Sequence, residues 1–358
     1  MDSLRGNRGR CNARDFSGTR TDIIDPEADP KVRAAITGAS GHVGAALSRA
    51  LLASGDSVRL LVHRDTRALE GLAAERVQAD LTDFDSLRRS FQGVRIVYHL
   101  GASISLDRRQ AESMRRVNLE GTRNVIRACR ECSVGRLIHF SSIEALADLR
   151  SLKATDESNP LAASGDTTRY GWTKAESERL VLQAAGAGLD AVILSPTAIL
   201  GPYDYKPSYL GRSLLDLYHK RFPALIRGGF NWVDVRDVVD AALAARDRGR
   251  SGERYILSGT WRSLSEMAAL VREITGRDGS RSVLPVWIAR SVAGIAGGLP
   301  GLSSRYPAFT PDALIAIGKH REVSCEKARR ELGYAPRALE VTLRDTFRWF
   351  AENGYLAD

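Results

Sequence analysis

Val32-Arg33-Ala34-Ala35-Ile36-Thr37-Gly38-Ala39-Ser40-Gly41-His42-Val43-Gly44 is the stretch on which the fold turns. Its first half is a short apolar run of the kind that makes a buried strand. Its second half spaces three glycines at the mouth of an apolar-periodic segment, Gly41 to Ser54, that reads as a helix. Such a turn, set directly between strand and helix, has a physical use. Gly38 permits the tight bend, Gly41 lets the backbone approach a pyrophosphate, and Gly44 lets the helix pack close to the strand. The N–H groups of the helix start, around Ser40, His42 and Val43, carry partial positive charge and favour an anion. The stretch predicts the first βα turn of a dinucleotide-binding fold.

Working outward, the same alternation repeats. Val32–Gly38, Ser57–His63, Arg76–Asp80, Arg95–Leu100 and Arg136–Ser142 read as strands; helices are expected from Gly41 to Ser54, to about Leu72, from Asp83 to Gln92 and from about Glu112 to Glu131. Strands separated by helices cannot pair as hairpins, so the product is a parallel sheet covered on both faces, a Rossmann-type doubly wound α/β fold. After the run Ala191–Pro202 the rhythm breaks. The expected organisation is a disordered extension over 1–30 and a dinucleotide-binding domain over 31–200, to which 231–260 returns. A smaller C-terminal substrate-binding lobe then combines 201–230 with 261–358.

Composition narrows the classes. The chain has 358 residues, 43% of them apolar, and a formal charge of +9. Its Arg residues are spread along the chain among Asp and Glu, so no concentrated basic face for nucleic acid is expected. The charge suits an anionic cofactor or substrate. Four cysteines are too few and scattered for a disulfide framework, which favours a reducing compartment. Cys129 and Cys132 form a lone C-x-x-C within a helical pattern, read as a buried helix face; no metal site is expected. Val283 to Leu302 is the most apolar stretch, but Arg290, glycines and prolines interrupt it. It should be a core or pocket-wall helix, with no integral membrane span.

The chemistry-bearing residues fall after this frame. At the end of the second strand, Val62-His63-Arg64-Asp65-Thr66-Arg67 leads with basic residues, which suits a 2′-phosphate. NADP is thus the expected cofactor, with Asp65 leaving NAD open. Asp80 and Leu81, after the third strand, are placed to contact adenine. Tyr170 and Lys174 stand at i and i+4, on one helix face. A cation beside a phenol stabilises phenolate, so Lys174 is expected to bring Tyr170 toward the working range. His139-Phe140-Ser141-Ser142 ends a strand, where ligands of open α/β sheets bind. Ser142 is the expected hydrogen-bond donor to a substrate oxygen; Ser141 is expected to cap the following turn.

Taken together, TGASGHVG, Tyr98-His99-Leu100-Gly101-Ala102, Val117-Asn118 with Gly121-Thr122, FSSIEAL, YGWTK, SPTAILGPYD and WVDVRDVV resemble, in this order, the NAD-dependent epimerase/dehydratase family of extended short-chain dehydrogenases. The resemblance runs from about Val32 to the C-terminus. It is similar above all to the branch of dihydroflavonol reductases and 3β-hydroxysteroid dehydrogenases, and to bacterial relatives named as sugar epimerases. It implies that Gly38, Gly41 and Gly44 hold the pyrophosphate and that Asp80 and Leu81 flank adenine. Leu100 and Ala102 would lie along the cofactor, Ser142, Tyr170 and Lys174 would be the catalytic triad, and Pro196, Thr197 and Ile199 would meet the nicotinamide carboxamide. The chain departs from the pattern twice: His63 stands where many NADPH-using relatives have Arg, leaving that work to Arg64, and Gly101 replaces the usual Ala.

The function expected is reversible, NAD(P)H-dependent reduction of a ketone or aldehyde, Tyr170 giving the proton. The alternative is a nucleotide-sugar epimerase with tightly bound NAD, for which Lys206, Arg212 and Arg227 are available cations. The partner is a small-molecule carbonyl or alcohol, the resemblance suggests a homodimer, and the expected location is cytoplasmic.

Overall fold

The computed structural model describes residues 33–105, 108–148, 154–279, 281–289, 310–319 and 321–357. The expected extension over 1–30 and most of Val283–Leu302 lie outside them. Six strands open the chain: β1 (Arg33–Thr37), β2 (Ser57–Val62), β3 (Glu75–Gln78), β4 (Ile96–His99), β5 (Arg136–Phe140) and β6 (Ala191–Pro196). β7 (Ala198–Leu200), β8 (Leu225–Ile226), β9 (Gly229–Asp234), β10 (Arg254–Leu257), β11 (Thr260–Ser263) and β12 (Val283–Leu284) follow. β1 to β6 and β10 form a seven-stranded sheet in the order β10-β6-β5-β4-β1-β2-β3. Every pairing in it is parallel.

The strands are apolar on successive residues because both faces are covered. Ile36, Leu60, Tyr98, Ile138 and Leu194 point into one core, with residues of helices α1 (His42–Ala53) and α7 (Val235–Arg248). Ala35, Leu61, Val97, Leu137 and Ile193 point into the other, with α2 (Phe84–Ser90), α4 (Gly121–Glu131) and α5 (Arg169–Gly186). Cys129 lies buried in that second core as a helix-face residue. This is the doubly wound Rossmann-type arrangement. The chain leaves β1 toward β2 on one side and returns to β4 on the other, and that reversal opens a crevice beyond the carboxyl ends of β1 and β4.

Two elements differ from the sequence reading. The helix expected to reach Leu72 is only a 3₁₀ turn, Arg67–Leu69, and Gly71 at φ +73° turns the chain instead. The long helix before β5 is present as α3 (Ala111–Arg115) and α4, joined by a π-helical turn at Arg116–Glu120. Such turns gather at functional sites.

A smaller sheet, β11-β9-β7, borders α6 (Tyr209–Tyr218) and α8 (Leu264–Thr275). Around it Leu200, Leu214, Trp232, Met267 and Phe347 form a separate core, the last on the C-terminal helix Leu339–Glu352. Tyr205 and Phe230 pack against this core. Among the described residues no helix is long and apolar enough to cross a membrane.

Candidate active site

The glycine turn is built from close contacts. Gly38 has φ +69°, and a Cβ on it would lie 2.8 Å from the Cα of Gly101, so the loops leaving β1 and β4 meet backbone to backbone. Gly44 lies so tightly on the turn that a Cβ would be driven into the Gly38 carbonyl oxygen. Gly41 differs: it is exposed, it N-caps α1 without any side-chain hydrogen bond, and its added Cβ would approach only the Gly38 oxygen, at 3.3 Å. The helix therefore begins with N–H groups that no side chain caps, a fit for a pyrophosphate. Ser40, His42 and Val43 are half-buried beside it. One nitrogen of His42, Nε2, lies 3.0 Å from the Pro202 carbonyl oxygen, and Val43 packs on the core.

Thr37 joins the two loops from below. Its hydroxyl lies 2.8 Å from His99 Nδ1 and accepts from Gly101 N–H at 3.1 Å. Leu81 is wedged between two glycines, since a Cβ on Gly101 would stand 2.9 Å from its Cδ1 and one on Gly121 2.9 Å from its Cβ. The glycine at 101 is thus matched to Leu81. Leu100 packs on the core beside α1, and Ala102 is half-buried. His63 and Arg64 are exposed at the end of β2. The His63 ring leans toward Asp80, Nε2 to Oδ2 3.5 Å. Hydrogen bonds from the Thr82 N–H and hydroxyl hold the Asp80 carboxyl below the usual range despite partial burial.

The proton-transfer groups come from β5 and α5. Thr168 N-caps α5, accepting from Gly171 N–H at 2.9 Å, and its hydroxyl donates to Glu144 Oε2 at 3.2 Å. Tyr170, in the first turn, is half-buried with its phenol hydrogen-bonded to Ser142. Lys174 is buried, and its Nζ donates to the Phe140 carbonyl at 2.6 Å. Burial lowers this amine to about 8. Ser142 and Tyr170 are accordingly brought together, while Lys174, one helical turn on, is held at the end of β5.

The electrostatics depart from expectation. Burial, followed by the Glu144 carboxyl, pushes the phenol of Tyr170 upward, and the Ser142 hydrogen bond opposes that rise. Lys174 does not supply the expected lowering, because its ammonium is turned to Phe140. The two serines also exchange one role. Ser142 caps the short turn Ile143–Ala145, accepting from Glu144 N–H at 3.2 Å, whereas Ser141 donates to Glu178 Oε2 at 2.5 Å. Glu178 in turn pairs with Arg254.

Pro196 and Thr197 are buried and Ile199 is half-buried. The Thr197 hydroxyl is engaged with Asn231 Oδ1 at 3.2 Å and Leu257 O at 3.3 Å, so it ties β6 to its neighbours. Sequence reasoning gave Asn118 no role. In the π-helical turn it accepts from Ser103 N–H at 2.7 Å and donates to Ser103 O at 3.0 Å and to Thr173 Oγ1 at 2.9 Å. Ser177 donates to the Asn118 carbonyl at 2.9 Å. An amide on an otherwise amphipathic helix, three residues before a Gly-Thr, was the available signal.

A tight glycine turn at the switch point, with a Ser, a Tyr and a Lys at the carboxyl edge of the same sheet, is the arrangement of an extended short-chain dehydrogenase/reductase. The family described as NAD dependent epimerase/dehydratase matches residues 34–258, and the chain belongs to it. It is 35% identical to "Sterol demethylase protein B" of Methylococcus capsulatus, over 90% of this chain and 99% of that protein. It is 33% identical to the "4-hydroxy-2-methyl-3-oxo-4-farnesyl-3,4-dihydroquinoline-1-oxide ketoreductase" of Stigmatella aurantiaca, over 88% and 96% respectively. The crystal structure of gox2253 superposes with a TM-score of 0.80 at 33% identity, over 91% of this chain and 99% of that one.

Proposed function

We propose that the chain is an NADP(H)-dependent oxidoreductase that interconverts a ketone and a secondary alcohol on an apolar, ring-containing small molecule. The observation that carries this reading is the Tyr170 phenol, hydrogen-bonded to Ser142 at the carboxyl edge of the sheet, one helical turn from Lys174. Two similar proteins, one named for sterol demethylation and one for ketoreduction of a farnesylated dihydroquinoline, support the substrate class. In this reading 31–200 with 231–260 hold the cofactor, and 201–230 with 261–358 form the substrate lobe.

The cofactor would supply the hydride. The chain's own part is to hold the carbonyl and manage the proton. Ser142 donates to the carbonyl oxygen, stabilising the negative charge that develops there. Tyr170 passes its phenolic proton to that oxygen, and the reverse transfer serves alcohol oxidation. Lys174, held at one N–H by Phe140, has two further N–H groups for ribose hydroxyls. Gly38, Gly41 and Gly44 with the start of α1 take the pyrophosphate; Leu81 offers an apolar surface to adenine.

The test is a pair of measurements on purified protein: nicotinamide fluorescence on titration with NADPH, and NADPH oxidation across a panel of cyclic ketones. Binding with turnover of at least one ketone, lost in Tyr170→Phe, is expected. NAD that stays bound through gel filtration, with turnover of a UDP-sugar and none of a ketone, would replace this reading by the epimerase one.

A further inference from the structure

The loop after β2 holds a carboxylate that is not free to act. Strand register sets Leu60 beside Ile36, so the residues that follow β2 lie alongside the glycine turn that follows β1. An acidic side chain there accepts the adenosine ribose hydroxyls and repels a 2′-phosphate. Asp65 is such a residue, but its oxygens are taken. Oδ1 accepts from Arg67 N–H at 3.1 Å and from Arg67 Nε at 3.4 Å, while Oδ2 accepts from Arg67 Nη2 at 3.1 Å.

Arg67 is well placed to keep that grip. It begins the 3₁₀ turn Arg67–Leu69, whose Ala68 carbonyl receives Arg49 Nη1 from α1 at 2.9 Å and whose Leu69 is buried in the core. Arg64, between the exposed His63 and Asp65, is exposed and forms no hydrogen bond or ion pair among the described residues. His63 is drawn toward Asp80 on the other side. Hydrogen bonds from the Arg67 side chain and N–H hold the Asp65 carboxyl below the ordinary range, and Lys206, after β7, adds a smaller positive potential there.

We propose that the Asp65–Arg67 ion pair sets cofactor preference by keeping the Asp65 carboxylate from the adenosine ribose, which leaves Arg64 to receive a 2′-phosphate. Arg67 is a positioning residue that acts through Asp65. This rests on the NADP(H) reading above. The pair is solvent-exposed, with 61% of the Arg67 side chain and 33% of that of Asp65 accessible. Such pairs contribute little to stability. The effect should therefore appear in selectivity and leave the fold intact.

The experiment is direct cofactor binding, read by nicotinamide fluorescence with NADPH and NADH, for the wild-type chain, Arg67→Ala, Asp65→Asn and the double variant. Arg67→Ala releases the carboxylate, so its NADPH affinity should drop by about tenfold while NADH binding holds or improves. The double variant should recover most of the lost NADPH affinity, because no carboxylate remains to be restrained. A double variant as weak for NADPH as Arg67→Ala would show Arg67 touching the phosphate itself and overturn the proposal. So would an unchanged NADPH-to-NADH ratio in Arg67→Ala. The cofactor reading has a separate readout, since a wild-type chain that binds NADH more tightly than NADPH overturns that reading, and the lock with it.

Discussion

Lys174 Nζ sits 2.6 Å from the carbonyl oxygen of Phe140, so the ammonium of α5 is fastened to the last residue of β5. Burial has lowered this amine from 10.5 to about 8, while the Tyr170 phenol beside it is raised. The first charge to disappear on the alkaline side is therefore the ammonium. Ketone reduction, followed as kcat/KM against pH, should fall as pH rises through about 8. Lys174→Arg, which stays charged, should push that limb upward; a limb unmoved by the substitution would remove Lys174 from the pH dependence.

Tyr170→Phe keeps the ring and deletes the proton. Turnover should drop by about 10²–10⁴-fold, the usual worth of a positioned acid. NADPH binding and the melting temperature should stay near wild-type values. Equal losses of binding and turnover would mean the phenol holds the cofactor rather than the proton.

Gly44→Ala places a methyl group against the Gly38 carbonyl oxygen, with the Ala39 backbone close behind. Helix and strand would have to separate, at a cost of about 1–3 kcal/mol by analogy with overpacked cores. Cofactor affinity should fall along with thermal stability. Gly41→Ala, whose methyl would meet only the Gly38 oxygen at 3.3 Å, should cost less of the second, and a calorimetric melt of the two variants decides this.

Glu178 is buried between Ser141 and Arg254, whose own side chain is only 11% exposed. Glu178→Ala strands the guanidinium without its partner, and breaking a buried pair from one side costs about 3–5 kcal/mol. Urea unfolding of the variant should show that loss, and Glu178→Ala combined with Arg254→Met should recover part of it.

His99 and His139 face each other with ring centroids 5.3 Å apart. Burial and the nearby Lys174 charge pull His99 down to about 3 and His139 well below 6.5. Both folded values lie below the unfolded one. Their contribution is complete above pH 6.5 and is lost as pH falls toward 3. At roughly pH 5 that loss is about 2 kcal/mol for His99. Neither nitrogen of His139 has a partner among the described residues. His139→Phe should therefore flatten the acid side of the stability curve, measured by unfolding at a series of pH values.

What could be read from the chain was what is local along it. The β1 turn, the opening of α1 and the Tyr170–Lys174 spacing follow from periods of two and 3.6 residues and from glycine chemistry. The 3₁₀ turn after β2 escaped because Gly71 sits inside an otherwise helical pattern. Contacts between distant segments were not legible. Gly38 against Gly101, Leu81 against Gly121 and the release of Lys174 from Tyr170 toward Phe140 depend on which strand ends become neighbours. The separate duties of Ser141 and Ser142 were within reach, since Leu137 and His139 already mark the face that Ser141 continues toward α5.

Asn118 has one more consequence. A single amide pins the loop after β4 to the helix that carries Tyr170, and Ser177 doubles the fastening. These two walls then travel as one block, like a bracket bolted at its corner.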